Sequence, residues 1–244
     1  MLRIIDLIEE SEAPVTAERM LTELGFSRSA LYRQLKVLSE SGFISSLSDA
    51  GFTLGPRIVE LDYKIRERDP LLAAARPLMI ELAQTERAVA LLCRRYRDKV
   101  LCIHQERGEV TFRSNYRRGL ARPLFRGAAS RIILANLKPA AINRLFAEHP
   151  HEFRAAGLGD EPAAVRSALR KLRRQGWDMT EGQVTVGVIG VAVPVFDADG
   201  DVLGSLSLTL QAKDRSPAEL RRIIERVCFS GAIIRNLINE RIST

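Results

Sequence analysis

Short helical patterns separated by turn residues occupy the N-terminal part of the chain. Apolar residues recur there at helical spacing, and the sequence predicts a first helix that ends near Ser11. A second helix is predicted to begin at the N-cap Thr16 and to end at Gly25. A third is predicted between the N-cap Ser27 and Gly42, with its leucines on one face and its polar side chains on another. Three consecutive helices are therefore expected in this region.

A β-hairpin is predicted directly after the three helices. Apolar residues at 43–44 and 52–54 flank a turn-rich spacer, which is typical of two short paired strands. Three helices and a hairpin are the arrangement of a winged helix-turn-helix, whose third helix fits the major groove of DNA. The alternative is that the polar face of the third helix is only solvated and that the region mediates protein contacts. The residues expected to contact bases or phosphates are Ser27, Arg28, Ser29, Tyr32, Arg33 and Lys36.

Helical and strand patterns are mixed in the rest of the chain. Helical stretches at 56–69 and 71–87, interrupted by Pro70, predict a connection between two domains. Strands are predicted at 89–96, 100–105, 110–115, 184–196 and 202–210. Further helices are predicted at 127–137, 139–149, 161–175 and 217–242. This order predicts an α/β fold of the α+β type, with an antiparallel sheet in the C-terminal domain.

The net charge of +7 over 244 residues predicts an anionic partner, and both nucleic acid and an acidic small molecule satisfy that prediction. The charge is distributed unevenly. Residues 94–131 hold eleven cations against three acids, whereas residues 1–68 hold nine cations against eleven acids. Within the predicted third helix, Arg28, Arg33 and Lys36 still form a local positive face, and local charge decides contacts in a DNA groove.

The sequence predicts neither membrane insertion nor secretion nor disulfide bonding. Its longest apolar runs are far below the roughly 18 residues of a membrane helix, and three acids among the first ten residues argue against a secretion signal. The three cysteines, Cys93, Cys102 and Cys228, form no C-x-x-C pair, and their odd number argues against a disulfide framework or a zinc ribbon. A cytoplasmic location is therefore expected.

Three segments, in the right order along nearly the whole chain, resemble the IclR family of transcriptional regulators. Residues 16–44 resemble the DNA-binding domain of the family. Residues 122–135 resemble its stretch around a helix that begins with small residues, and residues 176–195 resemble its effector-domain signature. An Asp-Gly step and the apolar segment 202–208 follow that signature, as they do in the family.

The patterns and the resemblance together imply how the chain is organised. They imply a winged helix-turn-helix DNA-binding domain at 1–58, linker helices at 59–87 and a GAF-like effector-binding domain at 88–244. The resemblance also implies dimers or tetramers on DNA and a small metabolite, often an organic acid, as effector. The sequence departs from the family at Phe125, where His is frequent, and at Gln183, where an acidic residue is usual. The family usually has a longer segment before its first helix than this chain has.

A small-molecule pocket is expected at the start of the helix predicted at 127–137. Small side chains are expected there, at the N-terminal end of a helix. The first backbone N–H groups of a helix are unpaired, and together with the helix dipole they favour an anion such as a carboxylate. Arg126 is the best candidate to pair with that carboxylate. Ser207 and Thr209 share one face of a strand, and the alternative is that this face is solvated and the strand glycines mark a bulge. The effector-binding residues expected from the helix start and from the resemblance are Arg126, Gly127, Ala128, Ala129, Thr180, Gly187, Gly190, Ser207 and Thr209.

The sequence contains no recognisable catalytic or metal-binding motif. His104 and Cys102 are expected to be buried structural residues. His149 and His151 are a poor metal pair because they lack a neighbouring third ligand. We therefore expect neither a metal nor a cofactor.

The favoured hypothesis is a ligand-responsive, DNA-binding transcriptional regulator that is not an enzyme and whose C-terminal domain senses a small metabolite, by resemblance an organic acid. Its expected partners are double-stranded DNA, an anionic small-molecule effector and further copies of itself in a homodimer or homotetramer, with no membrane. One alternative is an enzyme that acts on a small anionic substrate in the C-terminal pocket and uses the winged helix as a docking module. Another is an assembly protein that binds no small molecule.

Overall fold

The computed structural model of the chain describes residues 1–112, 114–213 and 215–242. The chain divides into two units, Met1–Asp69 and Pro70–Thr244. The two expected linker helices fall on either side of this division, one in each unit. None of the helices in the described ranges has the length and apolar character that a membrane span requires.

The first unit is a winged helix-turn-helix followed by one more helix. Thr16 Oγ1 accepts a hydrogen bond from Arg19 N at 3.2 Å, and Ser27 Oγ accepts one from Ala30 N at 3.3 Å, so both predicted N-caps are confirmed. Gly25 ends the second helix in the left-handed conformation that glycine adopts readily. The elements are α1 (Leu2–Glu10), α2 (Ala17–Leu24), α3 (Arg28–Glu40), β1 (Ile44–Leu47), β2 (Gly51–Leu54) and α4 (Arg57–Arg68).

The hairpin is longer than predicted because β1 extends into the turn-rich spacer. β1 and β2 pair in antiparallel register, and only residues 48–50 form the turn. Gly51 has a φ of 110°, and a Cβ atom there would lie 2.6 Å from Val15 O, so only glycine fits. Val15 and Phe52 exchange two backbone hydrogen bonds of 2.9 Å, which tie the hairpin to the segment before α2.

One hydrophobic core holds the first unit together. Ile4 of α1, Met20 of α2 and Leu31 of α3 are fully buried, and Ile44 of β1 packs with them. Burial of each such side chain contributes about 1.5–3 kcal/mol. The core fixes the rotation of α3, so that its polar face points away from the unit.

An antiparallel sheet with helices on both faces forms the second unit. The strands are β3 (Val89–Tyr96), β4 (Lys99–Arg107), β5 (Ala121–Pro123), β6 (Asp178–Glu181), β7 (Val188–Phe196) and β8 (Val202–Gln211), in the spatial order β5-β4-β3-β8-β7-β6. The helices are α5 (Pro70–Glu86), α6 (Ala128–Ala135), α7 (Pro139–Glu148), α8 (Pro150–Ala155), α9 (Pro162–Gln175) and α10 (Pro217–Ile242).

Alternate residues of the sheet face two different cores. On β3, Leu91 and Cys93 lie in a core with residues of α6 and α9, whereas Ala90 and Leu92 lie in a core with residues of α5 and α10. A period of two is the pattern of a strand that helices cover on both faces. The antiparallel sheet among helices confirms the predicted fold class.

The prediction of a strand at 110–115 is wrong, because the residues that the structure describes there form a loop. Arg107 Nη2 donates hydrogen bonds to Val110 O and Phe112 O, each at 3.0 Å, which hold the segment as a loop. Val110 and Phe112 pack against the core that contains α6, so their alternation reflects burial in a loop. Residue 113 lies outside the described ranges. β5, which was not predicted, pairs with β4 instead.

The strand predicted at 184–196 begins only at Val188. Residues 182–187 form a loop instead, because Gly182 and Gly187 at its ends have φ values of 68° and 71° that break an extended strand. Before this loop lies β6, an edge strand that the hydrophobic pattern did not predict.

The helix predicted at 139–149 is confirmed as α7, and a further short helix, α8, follows it outside the predicted range. α7 ends at Glu148, and Pro150 begins α8 at the first helical position, which suits proline. Proline lacks the N–H group that would continue α7, so the chain turns at His149.

Candidate functional site

The polar face of α3 is open to solvent, opposite the buried Leu31, Leu35 and Leu38. Lys36 Nζ lies 3.8 Å from Glu40 Oε1, but both side chains are largely exposed and such a pair is weak. The candidate DNA-contacting residues that the structure exposes are Ser27, Arg28, Ser29, Tyr32, Arg33 and Lys36.

The Ser27 hydroxyl caps α3 and already has partners within the chain. Its Oγ accepts from Ala30 N as the cap of α3 and lies 3.3 Å from Ser29 Oγ. Ser27 therefore sets where α3 begins, while Arg28, Arg33 and the other exposed side chains stay available for an external partner. A single α-helix with such a face has the width that the major groove admits.

A small cavity of about 40 Å³ lies in the second unit at the start of α6. Eight of the nine expected effector residues line it, namely Arg126, Gly127, Ala128, Ala129, Thr180, Gly190, Ser207 and Thr209. The structure does not bring Gly187 to the cavity, because this glycine forms the turn before β7 and its carbonyl accepts from Ala212 N at 2.9 Å. The lining residues that the sequence did not indicate are Leu91, Ser114, Tyr116, Ser130, Gln183, Val184, Thr185 and Val188.

The first backbone N–H groups at the start of α6 are paired, contrary to the expectation that they are free. Gly127 N donates to Gln183 Oε1 at 3.0 Å, and Ala128 N donates to Thr180 Oγ1 at 3.1 Å. Both acceptors lie on β6 or just after it, and β6 was not predicted from the sequence. An anion at the start of α6 therefore has to compete with these two side chains.

Among the cavity-lining residues that the structure describes, only Arg126 is charged. Its guanidinium group is exposed, and Nη2 donates to Gln183 O at 3.1 Å. Arg126 therefore holds the loop at 182–187 and places a positive charge at the rim of the cavity. Both the cation and the N-terminal end of the α6 dipole favour an acidic ligand.

The sheet wall of the cavity is buried and regular. Ser207 is 3% exposed and Thr209 is also buried, so the alternative of a solvated sheet face is wrong. Gly190 pairs with Thr180 on one side and Thr209 on the other in unbroken register, so it does not mark a bulge. Ser207 Oγ makes no hydrogen bond to the described chain. A buried hydroxyl without a partner costs about 1–3 kcal/mol, so this group favours a ligand.

Neutral hydroxyl groups line the inner end of the cavity. Burial raises the pKa of the Tyr116 phenol, and Ser130 lies beside it. Burial also raises the pKa of the thiol of Cys93, a residue of β3 that lies beside Tyr116. The hydroxyl groups of Tyr116 and Ser130 stay uncharged at neutral pH and can orient a polar ligand without adding charge.

A buried ion pair joins β6 to α6 next to the cavity. Arg131 Nε lies 2.9 Å from Asp178 Oδ2, and Arg131 Nη1 donates to Ala156 O at 3.2 Å. Burial raises the pKa of Asp178, and the Arg131 charge opposes that shift. Ser205 Oγ donates to Ala129 O at 3.0 Å and attaches α6 to the sheet as well. These contacts attach α6 to β6 and to the rest of the sheet beside the cavity.

His104 and Cys102 are both buried. His104 Nε2 lies 2.9 Å from Glu106 Oε1, and Cys102 Sγ donates to His104 O at 3.3 Å. Neither residue lines the cavity at α6.

His149 does have possible ligand groups near it, contrary to expectation. Asp98 and Glu148 place ligand atoms within 4.8 Å of one another and of the His149 ring. Arg95 lies 4.0 Å from Asp98, and Arg144 lies 3.7 Å from Glu148. Because each carboxylate already faces a guanidinium group, we assign no metal to this cluster.

The two units together define a regulator with a winged helix-turn-helix and a ligand cavity. The family profile described as bacterial transcriptional regulator IclR C-terminal matches residues 64–231. The chain therefore belongs to the IclR family of bacterial transcriptional regulators. It is 27% identical over 233 residues to the HTH-type transcriptional regulator XynR of Escherichia coli, a match that covers 94% of this chain and 92% of that protein.

Solved structures share the fold. An IclR transcriptional regulator from Alicyclobacillus acidocaldarius matches with a TM-score of 0.79 and 21% identity, over 98% of this chain and 96% of that one. An IclR homolog from Microbacterium hydrocarbonoxydans, complexed with 4-hydroxybenzoate, matches with a TM-score of 0.76 and 19% identity, over 97% and 96%. The GAF-like fold of the second unit is confirmed. Because its relatives are transcriptional regulators, this chain is a DNA-binding regulator and not an enzyme.

Proposed function

We propose that this regulator binds duplex DNA through the polar face of α3 and responds to an organic acid bound in the cavity at the start of α6. The observation that carries the proposal is the convergence of eight expected residues on that one cavity. They come from three separate parts of the sequence, and among the described lining residues none is acidic.

The charges at the cavity support an acid as effector. Arg126 and the N-terminal end of α6 are positive, and the other polar groups are neutral. The 4-hydroxybenzoate held by the Microbacterium homolog belongs to the same chemical class.

Exposure and charge support α3 as the DNA-reading helix. Arg28 and Arg33 offer guanidinium groups that can bond guanine edges or phosphates, and Lys36 offers a point charge to the backbone. Tyr32 is exposed between them and can contact either.

Coupling between the two ligands needs only linkage. An acid that binds one conformation of the chain better than another shifts the population toward that conformation and changes operator affinity. An acid with equal affinity for both conformations changes nothing.

The experiment selects genomic fragments that bind the full chain, then titrates the best fragment by fluorescence anisotropy with and without a series of organic acids. Acid-dependent affinity is the expected result. Failure to enrich any fragment, or affinity that no acid alters, contradicts the proposal.

A homodimer fits the same function, because helix-turn-helix proteins commonly read two half-sites with two copies. Val59 and Tyr63, one turn apart on α4, are 70% and 59% exposed, which is unusual for large apolar side chains and supports a contact with a second copy.

Val59→Asp is expected to halve the mass measured by light scattering, because a carboxylate in an apolar contact is costly. Lys64→Asp, an exposed change on the same helix away from Val59, serves as the control and is expected to keep the native mass. A native mass for both variants contradicts a dimer through this contact.

A further inference from the structure

The loop at 182–187, which we call the strap, forms one side of the cavity. Gln183, Val184 and Thr185 line the cavity from the strap. Gly182 and Gly187 lie at its two ends in the left-handed region, with φ values of 68° and 71°. Glycine changes conformation there at little cost, so the strap can move while β6 and β7 stay in place.

Side-chain hydrogen bonds fasten the strap to the rest of the cavity. Gln183 Oε1 accepts from Gly127 N at 3.0 Å, and Gln183 O accepts from Arg126 at 3.1 Å. Thr185 Oγ1 accepts from Asn115 N at 3.1 Å. Each bond of this kind contributes about 0.5–1.5 kcal/mol, so the strap is held but can be released.

Gln183 occupies the position that an acidic ligand would use. Its amide oxygen accepts the hydrogen bond of Gly127 N at the positive end of α6, a helix of eight residues. The amide is neutral, whereas a carboxylate at that position forms a charge-assisted bond that is about twice as strong. A carboxylate therefore displaces Gln183 more readily than a neutral amide, whose oxygen forms only the kind of bond that Gln183 already makes.

Ser207 independently indicates a ligand in the same cavity. It is 3% exposed, and its Oγ makes no hydrogen bond to the described chain. A ligand with a hydroxyl or carbonyl group can satisfy this oxygen while its acidic group reaches α6.

We propose that Gln183 determines the specificity of the cavity by standing in for the acidic group of the effector. A carboxylate that also bears a hydroxyl or carbonyl group displaces the Gln183 amide from Gly127 N, and the strap turns outward at Gly182 and Gly187. This inference builds on the proposed function, because it names how the acid is recognised. It also predicts discrimination against the neutral amide of the same compound.

Calorimetric titration of the full chain tests the competition, with 4-hydroxybenzoate, benzoate and a short 2-oxo acid as probes and 4-hydroxybenzamide as the neutral counterpart. Gln183→Ala removes the competitor and is expected to tighten acid binding several-fold. Gln183→Glu places a carboxylate of the chain at Gly127 N and is expected to weaken acid binding by at least roughly tenfold. Gln175→Glu, an equal charge change on the exposed end of α9, is the control and is expected to bind like the native chain.

Hydrogen exchange of the strap gives a readout that does not depend on the affinity. Exchange at 183–187 is expected to be faster in Gln183→Ala without acid, and faster in the native chain when acid is added. Native acid affinity in both Gln183 variants, or strap exchange that acid leaves unchanged, overturns the inference and leaves the proposed function in place. Absence of saturable acid binding to the native chain overturns the inference and contradicts an acid as effector.

Discussion

Gly190 keeps the sheet side of the cavity open. A Cβ atom there would lie 3.7 Å from Thr180 Oγ1 and 3.8 Å from Ala128 Cβ, which is ordinary contact, but a larger side chain would fill the space between them. Gly190→Val is therefore expected to lower acid affinity by at least roughly tenfold, because its methyl groups take the place of the ligand. Gly190→Ala is the control and is expected to lose far less. Calorimetry measures both, and equal affinities contradict the assignment of the cavity.

The sequence indicated the cavity residues that follow from a regular element. Ser207 and Thr209 were placed on one face by the period of a strand, and the small residues at 127–129 by their position at a helix start. Tyr116 and Gln183 were missed as lining residues, because both lie in loops just outside the strands predicted at 110–115 and 184–196. Alternation reports burial, and it does not distinguish a loop packed on a core from a paired strand.

The attachment of α10 to α5 depends on a buried carboxylate. Glu86, with a side chain that is 1% exposed, contacts Arg226 at 2.7 Å, while Arg222 lies farther away at 3.7 Å. Arg226→Ala leaves the carboxylate buried with the more distant partner and is expected to lower the free energy of unfolding by about 3 kcal/mol. Urea unfolding measures the change.

Glu81 supplies the matched control, because it contacts the same arginine at 3.1 Å but is 64% exposed. Glu81→Ala is expected to cost less than about 1 kcal/mol, since exposed ion pairs contribute little. Equal losses in the two variants would contradict the importance that we give to the buried Glu86.

Elements with strong periodicity and clear end signals were predicted well. The caps at Thr16 and Ser27 and the long helices α9 and α10 follow from such signals. β5 and β6 were missed because each is a short strand at an edge of the sheet, where one side of the backbone has no neighbour and the hydrophobic pattern is weak. The pairing of α6 with Thr180 could not be predicted without β6.

DNA recognition is a property of the whole molecule, because it combines base reading, phosphate contacts and the response to effector. Arg33→Ala is expected to weaken operator binding by on the order of 1–3 kcal/mol if Arg33 reads a base, with relaxed sequence preference. Lys36→Ala is expected to reduce the salt slope of binding by about 1, because it removes one phosphate contact. Lys171→Ala, an exposed cation on α9, is the control for charge alone. Titrations at several salt concentrations measure all three, and native behaviour of both α3 variants contradicts the proposed DNA face.

The operator affinity of the full chain, measured over a range of acid concentrations in the native protein and in Gly190→Val, tests the central claim most directly. The account predicts an acid-dependent change of at least roughly fivefold in the native protein. It predicts no change in Gly190→Val, whose affinity without acid equals that of the native chain. An identical acid response in the two proteins, or no response to any acid in the native protein, would contradict the account.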